Sequence, residues 1–255
     1  MRLGFIGTGA ISEHVIIGLI QHGDFEEPIL ISERSRDRSE RLASRFSNVT
    51  VESDNQTIVD HTDVVFLGTL PQQTLSVLDS LTFRQEQTIV SMPAMISVEQ
   101  IAENVTPASK IHRIIPMPPN ELGVGPIPVF PHSRELTALL SPLGTIIPTE
   151  NQEHFSTFSA SSAIMATMFE LVATNARWME TQGVEAEAAS RYATALFHSL
   201  ATQTKDLDAT KLQSLSADCL TAGGLNEQLL NATKSVGWYG ELEAELDRVL
   251  ARISR

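Results

Sequence analysis

The chain of 255 residues is 42% hydrophobic and 19% charged, enough apolar material for a sizeable core in one large domain or two modest ones. Its formal net charge of −13 argues against nucleic acid or an anionic membrane as partner, since both are gripped by basic patches. The single cysteine, Cys219, excludes an intrachain disulfide and fits a reducing compartment, and Met1 leads almost directly into an apolar stretch with no secretory leader, so the expected location is cytoplasmic.

The seven histidines are scattered without metal-ligand spacing, and no apolar run is read as approaching the roughly 20 residues that cross a bilayer. Neither a metal nor a membrane is expected. From the amino end, "RLGFIG", "PILIS", "DVVFLGT" and "TIVSM" are short apolar runs that predict buried strands, with helical spacing between them. That rhythm predicts an α/β fold, a doubly wound and mostly parallel sheet with ligands at the carboxyl ends of its strands. In the first intervening helix Val15, Ile16, Leu19 and Ile20 share a face, and Gly23 stops it. Residues 116–131 hold six of the twelve prolines, which predicts an extended connection beside the sheet.

From about Phe155 the pattern turns helical. Phe155, Phe158, Met165, Met168, Phe169, Val172, Ala176 and Met179 recur at three and four as far as Gly183, and a second helix continues through Ala189, Ala193, Leu196 and Leu200. The closing "GELEAELDRVLARI" places Leu242, Leu246, Val249, Leu250 and Ile253 on one side. The expected boundary divides an α/β domain, residues 1–152, from an all-helical one, residues 153–255. A short helical block with wide apolar faces is most easily covered by a second copy, so a homodimer or higher homo-oligomer is expected. Within it, "DCLTAGGLNEQLL" sets Gly223 and Gly224 side by side; adjacent glycines weaken a helix by roughly 1 kcal/mol each, so the pair marks a break where backbone approaches something closely.

The first turn carries the strongest motif. "LGFIGTGAIS" follows a strand and opens a helix, giving Gly7-x-Gly9-x-x-Ser12 in the dinucleotide pattern: Gly7 for the tight turn, Gly9 for close approach to a pyrophosphate, and Ser12 for close helix–strand packing. The helix start then offers amide donors to the phosphates. After the second strand, "ISERSRDR" gathers Ser32, Arg34, Ser35 and Arg36, groups suited to a 2′-phosphate, so NADP(H) is the preferred cofactor; Glu33 leaves NAD(H) open.

The order of these motifs resembles the pyrroline-5-carboxylate reductase family over nearly the whole chain. The residues that carry the resemblance are "GFIGTGAIS", "DVVFLGTLPQ" as the third-strand motif, "IHRIIPMPPN" as an Arg-x-x-Pro segment, "LTAGGLNEQL" as the late glycine turn, and "SVGWYGELEAELDRVL" after it. The resemblance implies a Rossmann domain followed by a helical dimerisation and substrate domain. It implies cofactor contacts at Gly7, Thr8, Gly9, Ala10, Ile11, Ser32, Arg34, Ser35, Thr69 and Pro71. It implies a substrate turn of Thr221, Gly223, Gly224 and Leu225, whose amides receive the carboxylate of an imino acid, and a catalytic position at Asn226. The sequence departs from the family at this pocket: Asn226 replaces a threonine, Ala222 a proline, Leu70 a lysine, Met117 an asparagine, and "SASSAI" a segment bearing glycine and proline.

Imine reduction asks little of side chains beyond positioning, and asparagine cannot act as an acid, so the proton must come from water or from a substrate already protonated. The expected activity is NAD(P)H-dependent reduction of a cyclic imino acid, pyrroline-5-carboxylate to proline. Two alternatives stay open: reduction of a different imino or keto acid on the same scaffold, and a non-catalytic NADP-binding protein. Among other residues, Ser159, Ser161 and Ser162 read as pocket lining or caps, Arg113 as a grip for an acidic ligand or, preferred, one half of a structural ion pair, and His112 and His198 as acids or, preferred, packing or surface groups. Trp238 and Tyr239 read as packing anchors, and Cys219 as a small buried apolar residue.

Overall fold

The computed structural model describes residues 1–205 and 207–253. Two compact units divide at Ser159/Ala160, seven residues beyond the expected boundary. In the first, strands and helices alternate: β1 (Leu3–Ile6), α1 (Ala10–Gly23), β2 (Ile29–Ser32), α2 (Arg36–Arg45), β3 (Val49–Glu52), α3 (Asn55–His61), β4 (Val64–Leu67), α4 (Pro71–Leu78), β5 (Thr88–Ser91), α5 (Val98–Val105), β6 (Lys110–Ile114), β7 (Pro126–Phe130), α6 (Arg134–Leu140), β8 (Thr145–Pro148) and α7 (Gln152–Ser161). The strands form one sheet in the order β3-β2-β1-β4-β5-β6-β7-β8. Every pairing is parallel except β6 with β7. The strand order reverses between β1 and β4, where a doubly wound sheet opens a crevice at its carboxyl edge.

Apolar residues on both faces of the central strands build two cores. Leu3, Phe5, Val64 and Phe66 join Val15, Ile16 and Leu19 of α1 in one, and Phe5 stacks on Phe66 at 4.5 Å. On the opposite face Ile6, Val65, Leu67 and Ile89 meet Ile58 of α3 and Ile101 of α5. Such double-sided burial is why these strands read as unbroken apolar runs. The first helix ends at Gly23 as expected, with Asp24 taking the left-handed cap at φ 48°.

Three features differ from the sequence reading. Edge strand β3 alternates, with Val49 buried and Thr50 exposed, so it lacks the apolar run of a buried strand. The "third-strand" motif therefore lies on β4. The proline-rich stretch is not a connection beside the sheet: Pro118–Leu122 form a 3-10 turn, and Pro126–Phe130 enter the sheet as β7. Proline removes a ladder donor, and the paired residues of β7 and β6, Phe130 with Arg113 and Val129 with Ile114, lie beyond Pro128.

The second unit, Ala160–Arg252, takes in the last two residues of α7, then α8 (Ile164–Thr181), α9 (Ala186–Gln203), α10 (Ala209–Asp218), α11 (Leu225–Ser235) and all but the last residue of α12 (Trp238–Ile253). The single helix expected from Phe155 to Gly183 is broken at residues 162–163, between α7 and α8. Its predicted stop, Gly183, is left-handed at φ 89°. Ala189 and Ala193 of α9 are buried, whereas α8, α10, α11 and α12 bury none of their described residues. Contrary to the sequence reading, the stretch Gln152–Thr181 contains an 18-residue window of mean hydropathy 1.2, long and apolar enough to cross a membrane by length and composition, and 17% of that window is buried.

Candidate functional site

The crevice of the sheet is shaped by glycines. Gly7 adopts φ +96°, which only glycine holds without strain, and a Cβ there would come within 2.6 Å of the Gly68 backbone. A Cβ on Gly68, at the end of β4, would overlap Ser12 Oγ and Gly7 O. Ser12 is fully buried, and its hydroxyl donates to Gly7 O at 2.6 Å. Gly9 is different: extended at φ −81°, ψ −178°, it would bring a Cβ only to 3.6 Å from Gly68 O, an ordinary contact. The fold itself does not require a glycine at position 9. It stands at the start of α1, where the first helical bond is Glu13 N to Gly9 O and the amides of Ala10 and Ile11 have no helical acceptor. Unpaired amides beside a missing side chain fit a pyrophosphate.

Beside this turn, the Ser32 hydroxyl is engaged by the backbone. Ser32 is 4% exposed; its hydroxyl accepts from Gly7 N at 2.9 Å and its carbonyl accepts from Thr8 Oγ1 at 2.7 Å. Both Ser32 and the fully buried Thr8 shape the turn, which corrects the expectation of direct side-chain contact at these positions. The arginines divide into two pairs. Arg38 and Arg41 are held by Glu13 of α1 at 2.5 and 3.0 Å. Burial pushes the Glu13 carboxyl upward, but bonds and charges from the two arginines outweigh it and leave it below its ordinary value. Arg34 is exposed, and Arg36 lies along the surface toward Glu40 at 2.9 Å and Glu33 at 3.6 Å. These two line an open depression with Ser32, Glu33, Ser53 and Asn55, and Ser35 borders the neighbouring one. The Glu13 clasp was not foreseen, because pairing across 25 residues leaves no mark in local spacing.

On the far side of the crevice Thr69 Oγ1 lies 2.8 Å from Thr74 Oγ1, Pro71 opens α4, and Leu70 is 60% exposed. Arg113 on β6 is 5% exposed and forms no ion pair among the described residues, so the preferred of its two sequence readings does not hold; its guanidinium lies 4.7 Å over the Phe155 ring. Burial lowers its pKa to about 10, with the charge of Glu99 opposing. His112 Nδ1 lies 2.8 Å from Pro131 O, a structural contact.

In the second unit the glycine pair breaks the chain between α10 and α11. Gly223 is left-handed at φ +71°, and Gly224 caps α11, where a Cβ would come within 2.8 Å of Thr221 O. Neither amide is free for a substrate carboxylate as expected: Gly223 N donates to Glu227 Oε2 at 2.6 Å and Gly224 N to Thr221 O at 2.7 Å. The Asn226 side-chain amide donates to Cys219 O at 3.1 Å. The donors without a helical acceptor are the backbone amides of Leu225, Asn226 and Glu227, since the first helical bond of α11 is Gln228 N to Gly224 O. Leu225 is 84% exposed, Cys219 is exposed rather than buried, and Trp238 and Tyr239 pack on each other at 5.1 Å while each remains partly open.

Sheet order, glycine turn and helix start together define a Rossmann-type dinucleotide-binding protein with an appended helical unit. Residues 2–95 match the family model described as NADP oxidoreductase, coenzyme F420-dependent. The chain is 25% identical over 216 residues to pyrroline-5-carboxylate reductase of Corynebacterium melassecola, covering 80% of each protein. It is 30% identical over 137 residues to pyrroline-5-carboxylate reductase 3 of Xenopus laevis, covering 52% of this chain and about half (49%) of that enzyme. The crystal structure of Plasmodium falciparum pyrroline carboxylate reductase with NADP bound superposes with a TM-score of 0.86 at 15% identity, covering 99% of this chain and 96% of that one. In sequence and fold, this chain is a relative of the pyrroline-5-carboxylate reductases.

Proposed function

We propose that the protein is an NADPH-dependent reductase of a cyclic imino acid, converting pyrroline-5-carboxylate to proline. The observation that carries this reading is the similarity to the Corynebacterium enzyme across 80% of both chains. It is supported by a first turn whose Gly9 has no structural need of its own. The turn Gly7–Gly9 and the amides of Ala10 and Ile11 receive the pyrophosphate, while Arg34 and Arg36 face the 2′-phosphate with Ser35 beside them. Ser32 and Thr8 hold the turn in shape, and Thr69 and Pro71 border the crevice at the end of β4. When bound, NADPH supplies the hydride that the imine carbon accepts. The imine nitrogen takes its proton from water or arrives protonated, since Asn226 has none to give. The outward amides of Leu225 and Asn226 serve the substrate turn, with Thr221 and the two glycines setting its shape.

The second unit leaves Phe169 62%, Trp178 61%, Leu229 68% and Val236 76% exposed. A second copy of the chain, rather than a bilayer, covers this surface in the proposed enzyme, because the apolar residues are spread over several helices with charged residues among them. The enzyme acts in the cytoplasm, in proline biosynthesis. The test is to incubate purified protein with NADPH and pyrroline-5-carboxylate and to quantify proline. Oxidation of NADPH matched one for one by proline is expected; NADPH binding without oxidation rejects this activity.

A further inference from the structure

Resting on the reading of Arg34 and Arg36 at the 2′-phosphate, we propose that Glu13 is a positioning residue for the preference for NADPH over NADH: it ties the helix that follows these arginines to the helix that receives the pyrophosphate. Three observations lead there. Glu13 stands in the first turn of α1, with the free amides of Ala10 and Ile11, and its carboxylate accepts from Arg38 Nε at 2.5 Å and from Arg41 Nη2 at 3.0 Å. Among the described residues these are the only ion pairs between α1 and α2. The start of α2 has little else to hold it: Ser35 at its N-cap makes no side-chain cap bond, and Ser39 and Leu42 are the helix's buried residues. Finally, Arg36 lines two adjoining depressions, one shared with Arg34 and the other with Ser35, Arg38 and Arg41, so the clasp borders the cofactor's arginines directly.

The pyrophosphate and the 2′-phosphate are joined through one adenosine, so the cofactor fixes their separation. The protein must offer a matching one, and a guanidinium serves a phosphate only when held within about 0.5 Å of its proper place. Glu13 sets that separation from the pyrophosphate side. Its side chain is 16% exposed and that of Arg38 30%, so solvent and salt screen the pair less than they screen a surface ion pair. A different role would carry the opposite sign: an anion that merely occupied Arg38 and Arg41 would withhold two cations from the cofactor, and its removal would tighten NADPH. A tether strengthens NADPH binding, and its removal weakens it.

The test measures Kd for NADPH and NADH by fluorescence in the wild type, Glu13→Gln, Arg34→Ala and the double variant. For Glu13→Gln, NADPH Kd rises about fivefold while NADH Kd stays within about twofold. In the Arg34→Ala background the same substitution changes NADPH Kd by less than about twofold, because the tether acts through the arginine already removed. Arg41→Gln, which cuts the more exposed arm of the clasp, raises NADPH Kd about threefold with NADH steady and provides the reading if Glu13→Gln does not fold. An unchanged or tightened NADPH Kd, an equal change for both cofactors, or a Glu13→Gln effect that survives in full beside Arg34→Ala overturns the role of Glu13 and leaves the cofactor reading intact. A wild type that binds the two cofactors equally, or an Arg34→Ala variant that weakens both alike, overturns the 2′-phosphate reading and the role of Glu13 with it.

Discussion

The two units solve the problem of burial differently. The first covers both faces of an eight-stranded sheet and encloses residues as large as Phe5, Phe66 and Phe155. The second consists of five helices whose buried described side chains are alanines, while Phe169, Trp178, Tyr192 and Leu225 face outward. About 25 cal/mol per Å² of apolar surface removed from water stabilises a fold, so the first unit draws on a large core of its own, whereas the second, in the proposed dimer, gains most from the copy that covers it. The cofactor turn sits in the unit with the large core, and the proposed substrate turn in the other.

The sharpest way to break this comparison is to charge the exposed helical face. Phe169→Asp combined with Trp178→Asp is expected to give a monomer by light scattering, with helical signal lost at a lower temperature than the sheet unfolds. A single unchanged transition would contradict the division. Next in size, Gly68→Val forces a side chain into Ser12 and Gly7. Stability is expected to drop by about 2 kcal/mol or more, and NADPH binding to be lost, with the helical unit's association unaffected in native mass spectrometry.

Arg34→Ala and Arg36→Ala sharpen the account of the cofactor end: NADPH Kd is expected to rise about tenfold for each, and NADH Kd to stay within about twofold. Equal weakening of both cofactors would place the arginines away from the 2′-phosphate. The smallest effect belongs to Glu13→Gln. Because the Glu13 carboxyl lies below its ordinary value in the fold, its contribution is present above the unfolded pKa and is lost as pH falls through the folded one. Thermal melts are therefore expected to show a deficit of about 1 kcal/mol in the variant near neutral pH, shrinking to nothing in acid. A deficit that persists in acid would mean that Glu13 acts through packing.

Legibility followed the same division. The runs "LGFI" and "VVFL" announced β1 and β4 because both faces of those strands are buried, and the glycine spacing announced the turn between β1 and α1. Edge strand β3 and proline-bearing β7 were hidden, the first by half-exposure and the second because its two prolines read as a break although both are paired with β8. At the site, Gly7, Gly9 and Ser12 were legible from spacing. The inward turn of Ser32, the Glu13 clasp, the unpaired Arg113 and the capture of the Gly223 amide by Glu227 all depend on contacts that spacing does not encode.

The most direct test of the division of labour measures NADPH binding, proline formation and association state together across a dilution series. The account predicts that NADPH affinity per chain stays constant while turnover per chain falls in step with dissociation. A monomer that retains full turnover would contradict it.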